Sequence, residues 1–232
     1  MSITKTEPMS EETYRRFALG DPQGQCELYR GQLREKPGMS VEHGSVMMLL
    51  VEWLLNQIDR NEFQVRAHHA RLRRSADTYY VPDIAVISAP VVQALLEQPG
   101  SLDAYPEPLP LVVEIWLPSS GRCDINEKLP DYRQRGDLEI WYVHPYERTL
   151  TAWRRRPDGA YSESVYHDGM VRPESLLGVA IDRRRAVGVV TRSKPAAVKS
   201  ATPGRRARPR SVRPRTSRRS HAARRRENAA PL

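Results

Sequence analysis

A change of composition near residue 190 limits what this chain can fold into. Thr191 to Leu232 holds 14 of the 37 Lys and Arg residues and a single acid, Glu227, for a net charge of +13. The residues before it carry 23 basic and 27 acidic side chains, a net −4, so the overall +9 belongs to the C-terminal end. That end, SKPAAVKSATPGRRARPRSVRPRTSRRSHAARRRENAAPL, is Arg, Pro, Ser and Ala without hydrophobic periodicity. It cannot bury enough apolar surface to offset the entropy of ordering, which predicts a disordered basic tail over 189–232. The folded part is then 10–188, long enough for a substantial buried core.

Several classes are excluded on composition and motif. No apolar run approaches the roughly 20 residues of a membrane span; the best stretch, Met47 to Leu55, is short and contains Glu52. The N-terminus MSITKTEPMSEE has no apolar signal core, and Cys26 and Cys123 make neither a metal pattern nor a disulfide framework. The expectation is a cytoplasmic protein with two reduced thiols. The Gly-rich stretch GDPQGQ at Gly20 to Gln25 lacks the phosphate-binding lysine of a P-loop and nothing matches GxGxxG, so no nucleotide cofactor is expected. His68 and His69 are neighbours on a predicted strand and point to opposite faces, so they cannot chelate one metal together.

Capping and periodicity outline the elements. Ser10 caps a helix reaching Ala18, Gly20 to Gly24 reads as a turn, and Glu27 to Lys36 as a hairpin around Gly31. Ser40 caps a longer helix whose Val46, Leu49, Leu50, Trp53, Leu54 and Ile58 fall at helical spacing. Strands are expected over Phe63 to Arg73, Tyr79 to Ile87, Leu111 to Trp116 and Leu138 to Val143, and a helix over Asp124 to Gly136. A hairpin follows around Pro157-Asp158-Gly159. Trp53, Trp141 and Trp153 read as core, whereas Trp116, at the end of the most apolar strand, could line a cleft.

Two carboxylates stand in apolar surroundings: Asp83 in VPDIAV and Glu114 in LVVEIW. Such groups must be paired, protonated, hydrogen-bonded or metal-bound. With Lys128 on the following helix, they form a set that can hold a hard divalent cation and position a water. Plainer readings stay open: Asp83 as a turn acid after Pro82, Glu114 as half of a buried ion pair, Lys128 as a solvated helix residue. His43, in the first turn of its helix, reads more readily as a surface residue.

The segments CELYRGQL, MSVEHGSV, VPDIAVI and PLVVEIWLPSS, followed by EKLPDYRQRGDLEIWYVHPYERTL, occur in order and at separations that resemble the Uma-type family of restriction endonucleases. That family is a branch of the PD-(D/E)XK nuclease superfamily. The resemblance runs from about Ser10 to about Ile181. It implies an α/β fold with a restriction-endonuclease-like mixed central sheet and flanking helices, and metal-dependent phosphodiester hydrolysis. It also implies that Asp83 and Glu114 are ligands of Mg²⁺ or Mn²⁺. The lysine two residues after the acid is replaced here by Trp116, and Lys128 on the next helix matches the displaced lysine. Tyr132, four residues on, shares its helical face, and Glu27 is a third acid near the metal. Leu117, Arg30 and Gln32 depart from the family pattern.

The expected partner is DNA, with a homodimer suited to double-strand cleavage. The tail arginines Arg205, Arg206, Arg208, Arg210, Arg213, Arg215, Arg218, Arg219, Arg224, Arg225 and Arg226 would contact phosphates without reading bases. A catalytically inactive nucleic-acid-binding module of the same fold is the alternative. An interaction module whose tail serves acidic partners or RNA is a third reading.

Overall fold

A computed structural model describes residues 7–21 and 26–184. The basic tail, the boundary near residue 188 and most of the turn expected over Gly20 to Gly24 lie outside those residues.

The first helix, α1 (Glu11–Gly20), starts at Ser10, whose hydroxyl accepts from Thr13 N–H. A hairpin follows, β1 (Cys26–Tyr29) and β2 (Gln32–Glu35), closed by Arg30 and Gly31, both with positive φ. This is the geometry of a two-residue turn matched to strand twist. A side chain at Gly31 would also collide with Pro8 Cβ, 2.5 Å from an ideal Cβ. Next comes α2 (Val41–Gln57), capped by Ser40, with Val46, Met47, Leu50 and Leu54 buried along one face.

The remaining chain alternates short strands and helices: β3 (Phe63–Ala67), β4 (Arg71–Ser75), β5 (Thr78–Tyr80), β6 (Ile84–Ser88), α3 (Ala89–Leu96), β7 (Ala104–Tyr105) and β8 (Leu111–Ile115). A crossover then runs through α4 (Gly121–Cys123), a π-helical turn (Asp124–Lys128) and α5 (Leu129–Arg135). It ends at Gly136 in the left-handed conformation, as a helix C-terminus commonly does. Last come β9 (Glu139–His144), β10 (Thr149–Arg155), β11 (Tyr161–Tyr166), β12 (Met170–Val171) and β13 (Ile181–Asp182).

The strands form a six-stranded mixed sheet, ordered β11-β10-β9-β8-β6-β3, and a five-stranded sheet, β2-β1-β5-β4-β7; β12 and β13 pair separately. In the larger sheet only β8 and β9 are parallel, as their helical crossover requires. Both faces of its centre are covered. Ile84, Val86, Leu111, Val113 and Ile115 pack with Val46, Leu50 and Leu54 of α2. Ala85, Ile87 and Val112 pack with Leu129 and Tyr132 of α5 and with Leu72, Tyr80 and Tyr105 of the smaller sheet. Burial on both sides explains why β6 and β8 read as continuous apolar runs. The architecture is the mixed α/β sheet with flanking helices that the resemblance implies.

Two strands expected as single runs are each two strands in different sheets. Phe63 to Arg73 breaks at His68, which has φ 64°, into β3 and β4. Tyr79 to Ile87 breaks at Val81-Pro82-Asp83 into β5 and β6. Pro82 has no N–H for a ladder, and Val81 N–H is taken by Glu27 Oε1 at 2.9 Å. Asp83 therefore sits where the chain passes between sheets, not in the middle of a strand. The expected Asp124 helix begins earlier, at Gly121, and contains the π turn. Helix α3 and the two-residue strands β7, β12 and β13 carried no signal that set them apart.

Candidate active site

Strands β6 and β8 are antiparallel with Ile84 opposite Val113, a register that places Asp83 opposite Glu114. Side chains alternate across β8: Leu111, Val113 and Ile115 face α2, and Val112 and Glu114 face α5. Both carboxylates are buried. They line a cleft of about 170 Å³ together with Glu27, Arg34, Lys36, Met39, His43, His68, Leu117, Ser120, Asp124 and Lys128.

Asp83 is fully satisfied. Its Oδ2 accepts from Ile115 N–H (2.7 Å) and pairs with His43 Nε2 (3.0 Å). Its Oδ1 accepts from Lys36 Nζ (3.0 Å) and pairs with His68 Nε2 (3.1 Å). Four partners match the four lone-pair sites of a carboxylate. Burial alone would raise its pKa, but the Lys36 ammonium and the two histidine hydrogen bonds reverse this and hold it well below the ordinary range. With Nε2 of each ring turned to Asp83, the buried Nδ1 atoms of His43 and His68 have no hydrogen-bond partner among the described residues.

Glu114 is the opposite case. Its Oε1 accepts from Tyr132 Oη (2.7 Å) and Lys128 Nζ (3.3 Å), while Oε2 takes no hydrogen bond among the described residues. Burial pushes its pKa up and Lys128 pulls against that, but Asp124 and Asp83 add to the rise, to about 8. Lys128 is itself enclosed by Glu27 (2.9 Å), Glu114 and Asp124 (3.3 Å). Burial opposes its charge, yet these three carboxylates hold its pKa well above that of free lysine. Asp124 is raised by burial despite Lys128. The buried cleft thus sets four carboxylates, Glu27, Asp83, Glu114 and Asp124, against two ammonium groups, Lys36 and Lys128.

Fully ionised, these groups would leave a surplus of two negative charges. Burial instead keeps a proton on Glu114 at neutral pH. A hard divalent cation, for which this all-oxygen donor set with Glu114 Oε2 open is suited, would take that proton's place. Among the described residues no group of three His, Cys, Asp or Glu side chains forms a ready-made metal cage. Magnesium sites built from one or two carboxylates and completed by water and phosphate need none. One adjustment is required: Lys36 or a histidine must release a lone pair of Asp83.

The structure brings Asp83, Glu114, Lys128, Glu27 and Tyr132 together, with Tyr132 lying beneath Glu114. His43 is buried at the site rather than on the surface. Lys36, Asp124 and His68 had not been picked out for it. Asp124 had a readable signal, four residues before Lys128 on one helical face. Lys36, in REKPG, reads as solvated and had none. Cys26 and Cys123 are free thiols; Cys123 Sγ donates to Glu127, and burial followed by that bond pushes its pKa up to about 12. The tail arginines fall outside the described residues.

An aspartate just before β6, a glutamate on β8 and a lysine from the next helix stand where the resemblance to restriction-endonuclease-like proteins places its acids and its displaced lysine. Residues 11–186 match the Uma2 family, described as "Putative restriction endonuclease", and the chain belongs to that family. Its fold is similar to that of a solved structure described as a "putative nuclease belonging to DUF820" from Anabaena variabilis. The TM-score is 0.62 at 16% identity, covering 78% of this chain and 98% of that one. Comparison with curated proteins finds no match. Among the described residues no helix is long and apolar enough to cross a membrane.

Proposed function

We propose that this chain is a metal-dependent endonuclease that hydrolyses phosphodiester bonds of DNA in the cleft between β6, β8 and the π turn. The observation that carries this reading is the opposition of Asp83, just before β6, and Glu114 on β8, with a crowd of buried carboxyl groups around them and one open oxygen on Glu114. Asp83 and Glu114 Oε2 would hold Mg²⁺ or Mn²⁺. When bound, the ion supplies neutralisation of the phosphate charge and a more acidic attacking water. Lys128 and Tyr132 occupy Glu114 Oε1 and so turn Oε2 to the cleft. Lys128 also balances Glu27 and Asp124, leaving Lys36, with its side chain 10% exposed on the cleft wall, as the ammonium placed to meet a phosphate.

The test is nicking of supercoiled plasmid by the full chain in Mg²⁺ or Mn²⁺ against EDTA, read beside thermal unfolding. Cleavage confined to the metal is expected. Metal at 100 times its dissociation constant should add about 2.7 kcal/mol of stability. Lys36→Met, which removes the ammonium competing for Asp83, should tighten metal binding in calorimetry; weaker binding would mean that Lys36 does not compete. A second reading, an inactive nucleic-acid-binding module, is favoured by the saturation of Asp83. Metal-independent stability together with retained DNA binding would select it.

The tail enters this reading through its charge. Truncation after Thr191 should weaken non-specific DNA binding by a large factor. It should also flatten the salt dependence, since each lost phosphate contact removes a slope of about −0.9 in log K against log salt. An unchanged slope in filter binding across a salt series would assign the tail to another partner.

A further inference from the structure

Trp116 stands where the resemblance calls for a lysine, two residues beyond Glu114 on the same face of the strand. Its N–H donates to Val143 O at 2.8 Å, so it continues the β8 ladder. Its ring is fixed against Gly121, where a Cβ would lie 2.2 Å from Trp116 Nε1. His144, at the end of β9, stacks on that ring with centroids 4.3 Å apart and planes 22° from parallel. Tyr146 meets both rings edge-on, at 5.7 Å and 6.3 Å. Nothing in the cleft chemistry uses these three rings.

Their position ties them to the cleft mouth. Leu117, the next residue, lines the cleft. Tyr146 Oη donates to Glu42 Oε2 at 3.4 Å, in the helical turn that carries His43. Tyr146 is 45% exposed; Met39, which lines the cleft, is 43% exposed, and Val41, next to Glu42, is 83% exposed. An aromatic ledge with an open ring therefore borders a site whose own walls are acidic.

We propose that Trp116, His144 and Tyr146 form a nucleobase-stacking subsite that makes unpaired nucleotides, in a single strand or in the locally opened stretches of a supercoiled plasmid, rather than fully paired duplex, the substrate of the cleft; this rests on the nuclease reading above. Aromatic rings hold bases of any sequence by stacking. Inside a duplex both faces of a base are already covered, so only a single strand, a frayed end or an extruded base can use the ledge. Two residues of strand span about 6.6 Å, a distance within reach of the nucleotides next to a phosphate held in the cleft. A base close to the scissile phosphate therefore reaches the rings. Charge points the same way. The residues before the tail carry a net −4, and Glu42 and Glu147 flank the rings. These acids repel phosphates but can accept hydrogen bonds from base amino groups. Binding by this surface must come from the bases.

The experiment measures binding of labelled oligo(dT) and of a hairpin duplex of equal length to the full chain. EDTA prevents cleavage, and the salt is high enough to weaken the tail's phosphate contacts. Tyr146→Ala and Tyr146→Leu, the latter keeping apolar bulk without a π face, should each lose about tenfold or more in single-strand affinity, with duplex binding unchanged. Tyr146→Phe should retain it. Equal losses on both ligands, or none, overturn the proposal. So does a loss of self-association in sedimentation with binding intact, which would make the ledge a contact between copies of this chain. Wild-type protein that binds neither ligand in EDTA and, in a parallel sample with Mg²⁺ or Mn²⁺, cleaves neither of them nor plasmid removes the nuclease reading itself, a result distinguishable from failure of the ledge alone.

Discussion

Glu114→Gln should lower plasmid nicking by about 10²–10³-fold, the cost of removing one charge-stabilising group from a preorganised site. The substitution keeps the side-chain volume and leaves an amide oxygen for the Tyr132 hydroxyl. Lys128 retains Glu27 and Asp124 as partners, so the fold should hold. What is lost is the open Oε2 donor and the negative charge that Glu114 gains when a cation displaces its proton. DNA binding should stay near wild type, because the tail's charge is untouched. Gel shift in EDTA and nicking in Mg²⁺, on one preparation, separate the two effects; nicking at the wild-type rate would end the metal-site reading. Asp83→Asn is a poorer probe. Asp83 holds Lys36, His43, His68 and Ile115 N–H at once, so its loss would mix chemistry with folding.

The acids were legible in the sequence because a carboxylate inside an apolar run is costly unless something holds it. Lys128 and Tyr132 were legible only through the resemblance, since a lysine and a tyrosine in EKLPDY fit a solvated or packed helix equally well. Lys36 was not legible at all: its importance comes from the turn after β2 delivering it to Asp83, a contact 47 residues apart in sequence. The strand breaks at His68 and Pro82 were hidden for a related reason. Periodicity reports that a residue is buried, not which sheet buries it. Residues on both sides of each break are partly or fully buried, in different sheets, and the pattern runs on. His43 is buried although it lies in a first helical turn, where exposure is only a tendency of isolated helices. Here the start of α2 is packed against the cleft, and Asp83 draws the ring inward.

Removal of Lys128 should have the largest effect on stability. Lys128→Met takes the cation from among three buried carboxylates, and breaking a buried pair from one side costs about 3–5 kcal/mol. For a domain of this size each kcal/mol lowers Tm by about 2–4 °C. The loss should depend on pH in a definite sense. Glu114 has its folded pKa raised to about 8 by burial, against about 4.3 unfolded, so the folded state binds the extra proton. Stability from that proton is fully present below about pH 4 and is lost as pH rises through about 8. Without Lys128, the one neighbour that most lowers the Glu114 pKa is gone, and the window extends to higher pH. The gap between wild type and variant should therefore be small near pH 5, where Glu114 holds its proton, and wide near pH 8.5. Denaturant midpoints at the two pH values measure it. A gap of equal size at both would mean that Lys128 acts by packing alone, and that the carboxylates around it do not share the field that makes the cleft attractive to a divalent cation.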